Sequence, residues 1–234
     1  MSRLLSGCTS PDAAELAATG AVLVVPIGST EQHGPHLPLS QDTDLAVSLC
    51  GRLAEVRSDV VVAPAIPYGA SGEHEGFAGT LSIGCEALEH VVVELCRSAS
   101  ATFGSIVLVS AHGGNAEPVH RARIRLEGEG RRTLVWSPRW EGDAHAGRVE
   151  TSLALAIHPQ RVDLSRAEAG NRSPLAELLP VLREGSVRAV SANGVLGDPT
   201  GASAAEGRHL LDRLALDLCT TVARWMEGNE EERG

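Results

Sequence analysis

Ala21-Val-Leu-Val-Val-Pro-Ile27 is an unbroken apolar run that leads directly into Gly28-Ser-Thr-Glu-Gln-His-Gly-Pro-His-Leu-Pro-Leu-Ser-Gln-Asp42. The first half has the length and branching of a strand buried on both faces, the kind found in parallel sheets. The second half places Glu31, His33 and Asp42 just where that strand ends, interleaved with Gly34, Pro35 and Pro38. An ordinary loop rarely combines two histidines, a glutamate and an aspartate with prolines that stiffen the backbone. We read the stretch as the core of a metal site at the carboxyl end of a strand.

Working outward, the same strand-then-helix unit recurs. Ser10-Pro11-Asp12 reads as the cap and first turn of a short helix ending near Ala18. Leu45, Leu49, Leu53 and Val56 recur at helical spacing over 42–57, and Asp59–Ala63 reads as a second strand before a glycine-rich loop that runs to Thr80. A helix over 86–102, a third strand over 105–111, a helix over 118–127 and a fourth strand over 132–136 follow. Such units imply parallel strands joined by crossovers. The expected fold is α/β, three layers (α/β/α) around a mostly parallel sheet. A helix near Val149–Ile157 precedes a stretch with Pro159, Pro174 and Pro180 that reads as irregular. A last helix spans about Ala204–Met226, with a charged tail expected to fray from about Glu227. No repeat or linker divides the chain, so 1–234 reads as one domain.

Polar clusters follow three of these strands: Glu31/His33 the first, His112 the third, Asp143/His145 the fourth. In an open parallel sheet the functional crevice lies outside the carboxyl ends of the strands. His112 beside Gly113 and Gly114, and His145 five residues before Glu150, therefore extend the first motif into a metal centre. The two glycines equally suit a tight strand-to-helix turn. Mixed carboxylate and imidazole ligands fit Zn²⁺, Mn²⁺ or Fe²⁺. Glu31, Asp42 and Glu150 together carry three negative charges, which suggests two divalent ions bridged by an aspartate and a hydroxide.

Composition narrows the rest. The 234 residues are 43% hydrophobic but only 3% aromatic, which suits Ala/Val/Leu-rich helices on a parallel sheet. A formal net charge of −10 and no dense Lys/Arg stretch argue against nucleic acid. Five cysteines with no C-x-x-C pair fit reduced thiols in the cytoplasm, and no apolar run is long enough to span a membrane.

The first motif, Tyr68-Gly…Ser71-Gly-Glu-His74, Phe77-Ala-Gly-Thr80, His112-Gly-Gly-Asn115 and His145-Ala-Gly-Arg-Val-Glu-Thr-Ser152 resemble the creatininase family of metal-dependent amidohydrolases, in order from about residue 21 to 226. The resemblance implies a two-metal centre with Glu31, His33, Asp42 (bridging) and His112 as ligands, and His145 as the proton-handling histidine. In creatininase itself a glutamate lies two positions after the matching histidine; here that place is Gly114, and Glu150 is the candidate for the fifth ligand. Ser110-Ala111 before His112, and Arg148, also depart from the family pattern.

Within the family, Ala63-Pro-Ala-Ile-Pro-Tyr68, Gly170-Asn-Arg172, Gly194–Thr200 and Ala205–Arg208 resemble members that act on a ribosomally made precursor peptide. That resemblance implies release of a modified C-terminal Val-Tyr-derived dipeptide, by attack of a metal-bridging hydroxide, and a homo-oligomer, a hexamer in family members. Glu73 and His74 are candidates for the substrate rim, with a solvated loop as the alternative. Arg172 is a candidate fork for the substrate carboxylate, with a surface ion pair as the alternative. Trp140 and Trp136 are candidates for the pocket wall or for packing. Two other readings of the whole chain are a hydrolase of a small cyclic amide or formamide, and a metal-binding scaffold without catalysis.

Overall fold

The structure is a computed structural model that describes residues 4–184 and 186–231. Strand β1 (Val22–Ile27) lies inside a four-stranded sheet with β2 (Val60–Val62), β3 (Ile106–Ser110) and β4 (Thr133–Trp136), in the order β2-β1-β3-β4. All three pairings are parallel. Strand order thus reverses between β1 and β3, creating a switch point at their carboxyl ends where the connecting loops diverge.

The side-chain alternation of β1 divides the core. Val22 and Val24 pack on one face with α2 (Gln41–Val56), α5 (Arg148–Ile157) and α8 (Ala204–Glu231). Leu23, Val25 and Ile27 pack on the other with α3 (Gly84–Ala99) and α4 (Ala116–Gly128). Helix α1 (Ser10–Ala18) lends Leu16 and Ala17 to that second face. These are the three layers expected from the buried apolar strands. Leu108 is fully buried on the second face, so Leu108→Ala should lower unfolding free energy by about 2–5 kcal/mol in denaturant titration, through lost transfer energy and a residual cavity.

Pro26 in an interior strand is tolerated for a local reason. Val22 N–H donates to Asp59 and Gly28 N–H to Ile66, both toward the β2 edge. Pro26 faces the same way, beyond Val62 where β2 has ended, so its missing N–H breaks no ladder bond.

Three boundaries differ from expectation. The cap of α1 is Thr9, not Ser10: its hydroxyl accepts from Asp12 N–H while the Asp12 carboxylate accepts from Thr9 N–H. The segment read as irregular contains α6 (Leu175–Glu184), with Pro180 inside it, and α7 (Val187–Val190). Leu178, Val187 and Leu196 bury one another there, and that tertiary packing outweighs the backbone bond Pro180 cannot make. Helix α8 continues past Met226 to Glu231, and residues 232–234 of the tail lie outside the described residues. Among the described residues no helix is long and apolar enough to cross a membrane, and no two cysteines are joined in a disulfide.

Candidate metal centre

Two loops at the switch point and two helix starts bring the acidic and imidazole groups together. Glu31 and His33 follow β1, and His112 follows β3. Asp42 sits in the first turn of α2 and Glu150 in the first turn of α5, where the helix N-terminus favours a negative charge. Gly28 lets α2 come close to the end of β1, because a Cβ there would stand 2.4 Å from the Thr43 backbone. Ala146, between His145 and Gly147, has φ 51°, a left-handed conformation uncommon for a residue with a Cβ. The turn it makes lets Ala146 N–H donate to the Glu150 carboxylate.

The donor atoms gather into overlapping groups: Glu31/Asp42/His112, His33/Asp42/Glu150 and Glu31/His33/His145, each within 4.8 Å of one another. The first two share Asp42. Its Oδ1 lies 3.2 Å from His33 Nε2 and its Oδ2 lies 3.2 Å from His112 Nδ1. One carboxylate therefore faces both groups, an oxygen toward each.

The chemistry of the pocket fits cations. Glu31 and His33 are wholly buried, and neither Glu31 oxygen receives a well-formed hydrogen bond. A buried carboxylate without hydrogen bonds is unstable unless a positive charge stands beside it. Burial opposes ionisation of Asp42, yet His33 and His112 hold it well below the usual carboxylate range. Burial opposes the charge of His33 too, and Asp42 nonetheless lifts it to about 10. His112, likewise buried, is raised well above the ordinary histidine value by Glu31 and Asp42. Burial pushes Glu150 up to about 7. The carboxylates thus demand positive charge at this spot, which divalent ions on the same atoms would supply more compactly than protons.

Gln32, which the sequence reading passed over, orients two of the rings. Its Oε1 accepts from Gly34 N–H at 2.9 Å, and its Nε2 donates to Gly194 O at 3.1 Å, which fixes the amide orientation. The same Nε2 stands 2.8 Å from His74 Nδ1, so that nitrogen is the acceptor. His74 then carries its proton on Nε2, 3.3 Å from Glu31 Oε1. His145 Nε2 donates to Gln32 O at 2.8 Å, leaving Nδ1 turned toward Glu31 and Glu150, 4.0 and 3.9 Å away. Burial first, then His33 and His74, press His145 well below the usual histidine value.

Asn115 is a second residue the sequence reading did not single out for a role. Its side chain accepts from Ala70 N–H and donates to Gly28 O, both at 2.9 Å, tying three site loops together. Asn115→Ala should lower stability by about 1–3 kcal/mol, since two buried backbone groups lose their partner; thermal or denaturant unfolding of the purified variant checks this. Ser29, also missed, donates to Asp42 Oδ2.

The remaining candidates divide. His74 is buried in the cluster and Glu73 Oε1 lies 3.4 Å from His112 Nε2, so neither sits in a merely solvated loop. Glu73 occupies space near Gly114, where an added Cβ would stand 2.3 Å from Ala70 O and 2.6 Å from Glu73 Oε1. A glutamate is therefore not accommodated at 114 in this backbone. Trp140 lines the cavity of about 950 Å³ over the cluster, whereas Trp136 is buried and donates to Asp217. Arg172 does not line that cavity; it pairs with Asp198 at the surface. Asp143 accepts from Arg148 N–H and supports the start of α5, and Asp44, the neighbour of the bridging candidate, pairs with Arg161.

Known proteins resemble this chain in sequence and in fold. The family model described as creatinine amidohydrolase matches residues 6–222, and the chain belongs to the creatininase family. It is 48% identical over 224 residues to the mycofactocin precursor peptide peptidase of Mycobacterium ulcerans (strain Agy99), covering 92% of this chain and 89% of that one. A solved structure described as creatininase with Mn superposes with a TM-score of 0.80 at 26% identity, covering 96% of this chain and 98% of the other. A creatininase variant of Zn-Zn type gives 0.79 at 25% identity with the same coverage.

Proposed function

We propose that this chain is a metal-dependent peptidase that releases a modified C-terminal Val-Tyr-derived dipeptide from the ribosomally made mycofactocin precursor. The observation that carries the reading is the pair of three-ligand groups sharing Asp42 beneath a cavity large enough for a dipeptide. The 48% identity to a peptidase of that name over most of both chains supports the substrate class.

Two divalent ions, zinc, iron or manganese, would supply Lewis acidity at the scissile carbonyl and lower the pKa of water from 15.7 toward about 7. Glu31, Asp42 and His112 would hold one, and His33, Asp42 and Glu150 the other. His145 Nδ1 is the one nitrogen of its ring directed into the cavity, because Nε2 is committed to Gln32 O. That atom would take a proton from the attacking water and pass it to the leaving nitrogen, which does not depart as an anion. Glu73, half-buried beside His112, and His74, buried beside Glu31, would orient the peptide from the cavity wall. Trp140 lines the same cavity with Leu175, Leu179 and Leu182. One domain and a cytoplasmic location are part of the same reading, and the family resemblance implies a homo-oligomer, a hexamer.

Incubating metal-loaded protein with the modified precursor, and reading the products by mass spectrometry, tests the function. The expected result is loss of a C-terminal dipeptide, abolished by chelation and restored by metal. An intact precursor together with turnover of creatinine or a formamide would replace the peptidase reading with the small-amide one.

A further inference from the structure

A second groove, of about 760 Å³, runs between the residues that follow β4 and the outer face of α8. Arg139, Arg213 and Arg224 line it, with Leu216 and Thr220 between them. Arg139 also lines the cavity over the candidate metal centre, so one side chain borders both spaces. Several other arginines of this acidic chain are paired with carboxylates, as in Arg52–Asp212, Arg148–Glu206 and Arg161–Asp44. Among the described residues, no carboxylate lies within ion-pair distance of any of these three. The acid that lines the groove, Asp217, is engaged with the Trp136 indole N–H at 2.8 Å.

Three guanidinium groups against the single Asp217 carboxylate leave a net local positive charge in the trough, on a molecule whose net charge is −10. Guanidinium forks match carboxylates two oxygens at a time. If the peptidase reading holds, only the departing dipeptide lies on one side of the cleaved bond, and the rest of the precursor must leave the cavity. The groove bordered by Arg139 offers it a path.

We propose that the Arg139–Arg213–Arg224 groove binds a run of acidic side chains in the polypeptide substrate, on the N-terminal side of the bond that is cleaved. This rests on the peptidase reading and adds to it a selection for acidic sequence outside the metal centre. The groove acts through charge, so its contribution fades as salt screens the field.

The double variant Arg213→Glu/Arg224→Glu tests it, since both residues are exposed and lie outside the metal cavity. Two precursor peptides with the same C-terminus are compared, one with upstream glutamates and one with glutamines in their place. At low ionic strength the variant should raise KM for the acidic peptide about tenfold or more, leave kcat unchanged, and leave both constants unchanged on the neutral peptide. Binding of a fluorescein-labelled octaglutamate, read by anisotropy, should weaken to the same extent and does not depend on cleavage. An unchanged KM and unchanged octaglutamate binding overturn the proposal, as does an equal loss on the neutral peptide. A change of oligomeric state in the variant, seen by light scattering, also overturns it and marks the groove as a subunit contact. If the native protein binds octaglutamate through these arginines but cleaves neither peptide, the peptidase reading fails and the acidic-ligand groove stands.

Discussion

Asp42→Ala protein should retain neither divalent ion and should lose hydrolytic activity by on the order of 10³-fold or more. The two Asp42 oxygens face different ligand sets, His33 on one side and His112 on the other. Without them each set falls to two protein ligands, His33 with Glu150 and Glu31 with His112, fewer than the three that catalytic sites ordinarily keep. Each ion supplies several kcal/mol of transition-state stabilisation, and every 1.36 kcal/mol is tenfold in rate. Metal content and turnover of the same preparation check both halves. Two ions per chain in the variant would refute the bridging role.

His145→Ala should keep both ions and lose turnover by about 10²–10⁴-fold, the range for a positioned proton carrier. The two ligand sets that share Asp42 do not include His145, although it does belong to the third group with Glu31 and His33. The variant therefore separates two roles. Full metal with little turnover assigns proton transfer to Nδ1. Loss of one ion would make His145 a ligand, and unchanged turnover would remove it from the mechanism.

The succession of strands and helices along the chain was legible because each strand is a short branched-apolar run and the covering helices carry apolar stripes, whereas the β2-β1-β3-β4 order comes from the structure. Val22–Ile27 and Ile106–Ser110 are wholly buried on both faces, which is the condition under which such runs are diagnostic. Helix α6 was not legible, since Pro174 and Pro180 weigh against a helix locally and only the packing of Leu178 on Val187 and Leu196 favours one. The cap of α1 was misread by one residue because Thr9 and Ser10 are equally good caps by type, and only Asp12 at the third helical position distinguishes them.

At the centre, Glu31, His33, Asp42 and His112 stand out because metal-binding residue types crowd into two short motifs. Glu150 was reachable through its place beside His145 at the start of a helix. Gln32 was not, although it lies between two candidate ligands. Its partners His145 and Gly194 are more than a hundred residues away in sequence, and an amide has no chemistry that marks it as a positioning group until those partners are placed. Arg172 fails for the opposite reason. Its residue type suits a carboxylate, and Asp198 nearby in the fold already provides one.

The most direct test is diffraction from protein purified without chelators, with data on either side of the metal absorption edges and elemental analysis of the same crystals. Two anomalous peaks per chain are expected, one among Glu31, Asp42 and His112 and the other among His33, Asp42 and Glu150. Density without a peak at either place, with these carboxylates turned away from one another, would contradict the account.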